Sequence, residues 1–130
     1  ERAWVVHGAG GLDEVSLAGP TEIVELRSGA TRRFVLAPAD FGVEQPVSVE
    51  RIRGGDAEVN AAALRTLLAS PAEANQDYRA VVIANAAAAL AVAGKAEDLT
   101  AARAQAEASL LSGAALKALE RLIAISGSAP

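Results

Sequence analysis

Cysteine and methionine are both missing from this 130-residue chain, and histidine occurs once. Without cysteine there is neither a disulfide framework nor a thiolate metal site, so a reducing cytoplasm is the simplest setting. Aromatic residues are scarce at 3%, with Trp4, Phe34, Phe41 and Tyr78 as the full set. An excess of positive charge is lacking too. The net charge is -4, whereas phosphate-backbone binders gather Lys and Arg on one face, so nucleic acid is not an expected partner. Long apolar runs are also absent. The longest, residues 80–94, carries Asn85 in its middle and falls short of the roughly 20 residues needed to cross a bilayer, which points to a buried helix and away from a membrane. The chain opens on Glu1 without an initiating methionine and enters a strand pattern at once, so a piece of a longer protein is expected.

What is present bounds the rest. With 52% hydrophobic and 22% charged residues, the chain can fill the core of one domain and is too short to expect two. Alanine dominates the second half, so helices there should pack closely through small side chains. The order is strands first and helices after: residues 1–53 read as strand-rich and 56–126 as helical, a single partial α/β domain.

Strands are expected over residues 3–7, 22–27 and 31–36, each with β-branched or large apolar residues. Ser28-Gly29-Ala30 signals a hairpin between the last two. Residues 38–55 are broken by Pro38, Gly42, Pro46 and Gly54-Gly55, and read as a loop with a short strand around 47–52. Asp56 supplies an N-cap for a helix over 57–69 that ends at Pro71, with Val59, Ala62, Ala63 and Leu67 near one face. A nearly all-apolar helix is expected over 77–93, stopping at Gly94 and contacting the sheet. Asp98 caps a third helix to Leu111. Gly113 separates it from a last amphipathic helix with Leu116, Leu119, Leu122 and Ile123 inward, and residues 126–130 should fray.

The most informative segment is Trp4-Val5-Val6-His7-Gly8-Ala9-Gly10-Gly11-Leu12-Asp13-Glu14, an apolar strand opening into glycines and closing on two carboxylates. Neighbouring side chains in a regular strand point to opposite faces, so Asp13 and Glu14 reach one cation only if the glycines let the backbone turn. Hard oxygen ligands suit Mg²⁺, which keeps several waters and commonly bridges a protein carboxylate to substrate phosphates. The bland alternative is a solvated acidic pair.

Other motifs weigh less. Gly8-Ala9-Gly10-Gly11 fails as a dinucleotide fingerprint, because Asp13 stands where the last glycine belongs and would repel a pyrophosphate. His7 is open to acid–base or metal roles, but a single histidine at a strand end reads as structural. Asp40-Phe41-Gly42 spells a kinase tripeptide with every other kinase element missing. In Gly54-Gly55-Asp56, the carboxylate fills the position an anion would take, so a helix cap is expected. Asn85 must find partners inside an apolar helix, and reads as a tie to a neighbouring loop.

Taken in succession, His7-Gly8 with Gly11-Leu12-Asp13-Glu14, Gly19-Pro20-Thr21 with Glu25-Leu26, Leu36-Ala37-Pro38 with Asp40-Phe41-Gly42, Gly54-Gly55-Asp56-Ala57-Glu58 with Asn60-Ala61, Asn85-Ala86-Ala87-Ala88-Ala89-Leu90 with Ala93-Gly94-Lys95, and Ser112-Gly113-Ala114 with Leu119 resemble the C-terminal part of the anthranilate phosphoribosyltransferase family. The resemblance covers essentially the whole chain. It implies the closing part of the larger α/β domain of the nucleoside phosphorylase/phosphoribosyltransferase fold, with strands and a hairpin followed by about four helices. It also implies transfer of phosphoribosyl from phosphoribosyl pyrophosphate to anthranilate in tryptophan biosynthesis, with Asp13 and Glu14 as Mg²⁺ ligands. No catalytic residue is carried over.

The family's phosphate-cradling glycine loop, its anthranilate-contacting residues and its small N-terminal helical domain, which carries the homodimer contact, lie upstream of everything present. The resemblance therefore implies a cytoplasmic enzyme part that is inactive alone and needs the missing N-terminal part. The missing strands would leave an unpaired sheet edge open to self-association. Two other readings stay open: a non-catalytic nucleic-acid-binding paralogue, which would demand a basic surface, and a related nucleoside phosphorylase. The Gly-Leu-Asp-Glu segment favours the transferase.

Overall fold

Strands β1 (Arg2–Gly8), β2 (Thr21–Arg27) and β3 (Ala30–Leu36) form an antiparallel meander in the order β1-β2-β3. They open a computed structural model that describes residues 1–127; of the tail expected to fray, 128–130 lie outside the described residues. The register sets Trp4 opposite Glu25 and Glu25 opposite Arg32. Alternation along β2 turns Thr21, Ile23 and Glu25 into the interior, leaving Val5 and Val35 exposed on the other face. Ser28 and Gly29 join β2 to β3 with φ of 52° and 82°, the two positive values that a two-residue type I′ hairpin turn requires.

Two single-turn 3-10 helices, Pro38–Phe41 and Val49–Ile52, lead from the sheet to the helices. The second replaces the strand expected around 47–52. Val47 donates its N–H to the Leu17 carbonyl at 2.8 Å, and the chain then tightens, with Arg51 N–H donating to the Ser48 carbonyl at 3.0 Å. One such bond ties the segment to the core but does not make a ladder.

Helix α1 (Ala57–Ala69) is capped by Asp56, α2 (Gln76–Val92) by Asn75 and α3 (Leu99–Leu111) by Asp98, each side chain accepting from the first-turn backbone. Helix α4 (Ala114–Ser126) follows Gly113 at φ 76°. The core joins the loop after β1 to the alanine helices: Val15, Leu17, Phe41 and Val47 pack with Val81, Ala84, Ala87, Ala88 and Ala102. A second cluster unites Leu67, Ala74, Ile83, Ala106 and Leu110. Arg79 of α2 reaches Glu107 of α3 at 2.7 Å.

The apolar face read for α1 and the inward face expected for α4 are only partly buried. Of the set on α1 only Leu67 is buried, and Val59 is 55% exposed. On α4, Leu116 and Leu119 are half-buried, while Leu122 is 62% and Ile123 43% exposed. An apolar stripe shows which side of a helix seeks cover. Here α1 and α4 touch each other and α4 touches α3, and Leu67 packs with Ile83 of α2 and with Ala106 and Leu110 of α3, while Val59, Leu122 and Ile123 stay exposed.

Candidate metal-binding loop

The loop between β1 and β2 is built from a turn at one end and an anchor at the other. Gly8 N–H donates to the Leu12 carbonyl at 2.8 Å, and Leu12 N–H returns to the Gly8 carbonyl at 3.2 Å. Between them Gly10 and Gly11 take φ of 83° and 78°, a left-handed pair that side chains other than glycine adopt only at a cost. Gly8 has a different reason to lack a side chain. A Cβ there would lie 2.5 Å from the Glu14 carbonyl oxygen and 2.7 Å from Ser16 Cβ, so the loop folds back directly over the strand end.

The anchor is Val15-Ser16-Leu17, all buried. Ser16 N–H donates to Thr21 Oγ1 at 2.9 Å, and its hydroxyl donates to the Ala9 carbonyl at 3.1 Å. Asn85 of α2 accepts from Val15 N–H at 2.8 Å and donates to the Val15 carbonyl at 3.1 Å. The expected tie between this helix and a loop is therefore present, and the loop is the one that carries the acidic pair. Nothing in the sequence marks Val15 as the partner, or Ser16 and Thr21 as the pair that closes the loop, since serine and threonine are common in loops for many reasons.

Asp13 is exposed and Glu14 half-buried, between the glycine turn and the anchor. Burial first, and the neighbouring Asp13 charge second, raise the Glu14 carboxyl above its ordinary value. A cation between the two carboxylates would relieve both costs. No group of three or more candidate metal ligands gathers among the described residues. From the described residues a metal held here takes at most these two carboxylates, leaving its remaining positions to water, substrate oxygen or groups from elsewhere in the polypeptide. That habit fits Mg²⁺ better than an all-protein cage.

Among the other candidates, Asp40, Asp56 and Asn60 have structural roles. His7 is exposed and faces Glu22 across the sheet. Asp40 accepts from Ala37 N–H at 2.7 Å, and Phe41 is buried. Asp56 caps α1, while Asn60 closes the glycine turn before it with bonds to both Gly55 N–H and the Gly55 carbonyl. The groove between β1 and α2, about 770 Å³, is lined by Trp4, Val15, Asn85 and Val92 among others, and neither Asp13 nor Glu14 lines it. No helix among the described residues is long and apolar enough to cross a membrane.

Residues 1–116 match the model of the glycosyl transferase family, a/b domain. The chain belongs to that family. Within it, the chain is 50% identical over 127 residues to anthranilate phosphoribosyltransferase of Rhodospirillum rubrum, an alignment covering 98% of the chain and 35% of that protein. Among solved structures it is similar to anthranilate phosphoribosyltransferase from Saccharomyces cerevisiae in complex with 4-fluoroanthranilate, at 25% identity and a TM-score of 0.88, covering 99% of the chain and 37% of the other. It is also similar to the same yeast enzyme in complex with PRPP and Mg, at 26% identity and a TM-score of 0.85, covering 97% and 35%. The chain thus spans little more than a third of the length of these glycosyl transferase relatives. Its three-stranded sheet and four helices are an α/β arrangement shared with them.

Proposed function

We propose that this chain is the Mg²⁺-binding C-terminal portion of an anthranilate phosphoribosyltransferase. The intact enzyme transfers the phosphoribosyl group of phosphoribosyl pyrophosphate to the amino group of anthranilate, forming a C–N bond and releasing pyrophosphate. The observation that carries the reading is the 50% identity to an enzyme of that name over 98% of the chain. The half-buried carboxylate of Glu14 beside Asp13 supports it, as does the relative solved with PRPP and Mg.

Asp13 and Glu14 are the residues assigned to hold the metal. When bound, Mg²⁺ supplies positive charge to the pyrophosphate, whose negative charge grows as the glycosidic bond breaks. The protein's contribution on this side is positional: Gly8, Gly10 and Gly11 shape the turn, and Val15 to Leu17 root the loop in the core. The cradle for the ribosyl phosphate, the anthranilate pocket and the homodimer contact are assigned to the upstream part of the polypeptide, so residues 1–130 alone are inactive. The exposed Val59 on α1 and Leu122, Ile123 and Ile125 on α4 support a larger domain packed around them. The cytoplasm is the assigned compartment.

Loss of anthranilate fluorescence tests the reading, using the full-length polypeptide that carries this chain with phosphoribosyl pyrophosphate and Mg²⁺. The natural sequence should consume anthranilate only with Mg²⁺ present, and Asp13→Asn/Glu14→Gln should not. Turnover by residues 1–130 alone, or an unchanged Mg²⁺ requirement in the double variant, would overturn the assignment.

A further inference from the structure

Asn85 stands 70 residues from Val15 in the chain and binds it twice, at 2.8 Å through its oxygen and 3.1 Å through its nitrogen. Its second N–H donates to the Val81 carbonyl one turn back in α2, at 3.0 Å. Both amide donors are used, and the side chain treats Val15 as a neighbouring strand would. The consequence lies one residue earlier. Val15 N–H shares a rigid peptide plane with the Glu14 carbonyl, and that carbonyl sits against Gly8 so closely that no Cβ fits between them. The Glu14–Val15 peptide is therefore clasped on two sides, by Asn85 at its nitrogen and by Gly8 at its oxygen.

We infer that Asn85 is the positioning residue for the acidic pair: by fixing the Glu14–Val15 peptide plane, it sets where Asp13 and Glu14 present their carboxylates. The inference rests on the proposed Mg²⁺ role of that pair. An apolar side chain of similar size would fill the space, yet leave the N–H and carbonyl of a buried residue without partners. The loop would then settle elsewhere. An amide on a helix holds the loop to a rigid element, which is how groups behind metal ligands tune affinity without touching the metal.

The test uses the full-length polypeptide with phosphoribosyl pyrophosphate, and Mn²⁺ as a paramagnetic substitute for Mg²⁺, counting free Mn²⁺ by electron paramagnetic resonance. Asn85→Ala should weaken Mn²⁺ binding by about tenfold, the lower end of such effects, and leave KM for anthranilate within about twofold. Hydrogen exchange at the Val15 amide should accelerate while the α2 amides stay protected. Added to Asp13→Asn/Glu14→Gln, the same substitution should cause no further loss of Mn²⁺ affinity, because it acts through those carboxylates. If Asn85→Ala fails to fold, Asn85→Gln keeps the amide but extends it by one methylene, and should weaken Mn²⁺ binding by a smaller factor. Unchanged Mn²⁺ affinity in the folded Asn85 variant, or losses that multiply with those of the acidic pair, would overturn the positioning role and leave the Mg²⁺ assignment standing. An unchanged affinity in Asp13→Asn/Glu14→Gln would remove both.

Discussion

The indole N–H of Trp4 donates to Glu25 Oε1 at 2.9 Å from the position directly opposite it on the neighbouring strand. Arg32, opposite on the other side, binds Oε2, and its guanidinium lies 4.8 Å from the centre of the Phe34 ring. Phe34 in turn meets Trp4 edge-on at 5.5 Å. Three strands thus converge on a carboxylate that is 3% exposed.

The Trp4 hydrogen bond, then the Arg32 hydrogen bond, lower the Glu25 carboxyl below its ordinary value. A carboxylate whose pKa is lower folded than unfolded adds stability above its unfolded pKa and loses it as pH falls through the folded one. Glu25→Gln should therefore lower the melting temperature at neutral pH, and the gap to the natural protein should close in acid. A gap of constant size down to acid pH would mean that the charge of Glu25 is not what the strands use.

Glu14 has the opposite sign. Its carboxyl is raised by burial and by Asp13, so the protonated form favours folding at low pH and that advantage is lost as pH rises through the folded value. Without metal, Glu14→Gln should raise the melting temperature at neutral pH and make little difference in acid. Saturating Mg²⁺ should stabilise the natural protein and not the variant. Equal stabilisation of both by Mg²⁺ would place the ion elsewhere.

Gly8→Ala should be costly although φ at this residue is ordinary. The added methyl meets a backbone carbonyl and the Ser16 Cβ, neither of which is the free end of a flexible side chain. Destabilisation of about 1–3 kcal/mol is expected from overpacking of this kind, together with weaker Mn²⁺ binding, both measurable in the full-length polypeptide. A neutral substitution would show that the loop does not close over the strand end.

At the hairpin, Ser28 holds a left-handed φ of 52° without being glycine. Ser28→Asn should gain up to about 1 kcal/mol, because asparagine tolerates that region better, whereas Gly29→Ala should lose about 1–2 kcal/mol. Thermal melting of the paired variants reads both signs.

Local chemistry was the legible part of the sequence. Asp56 and Asp98 mark their helices because a short carboxylate satisfies first-turn N–H groups from one residue away, and Ser28-Gly29 marks its turn for a comparably local reason. Asn85 could be read as needing a partner, since amides inside apolar helices do. Which partner it takes depends on a loop 70 residues off, and no nearby residue encodes that. The 47–52 segment misled because Val47, Val49 and Ile52 look like a strand, but a strand also needs a neighbour to pair with. The stripe on α4 was legible as apolar and not as covered, because cover is a property of what packs against it. Glu25 gave no sign of burial: its partners lie on other strands, at a register fixed only when the sheet forms.

The alanine run in α2 is monotonous only on paper. Ala87 and Ala88 are buried, while Ala86 and Ala89 face outward, and Ala84 and Ala87 pack in the same cluster as Ala102 of α3. Between helices that meet through methyl groups there is no slack for a larger side chain. Identical residues in this stretch therefore differ in the room they leave for a larger side chain, none at 84 and 87 and more at 86 and 89, so packing gives a helix period to a segment whose own composition conceals it.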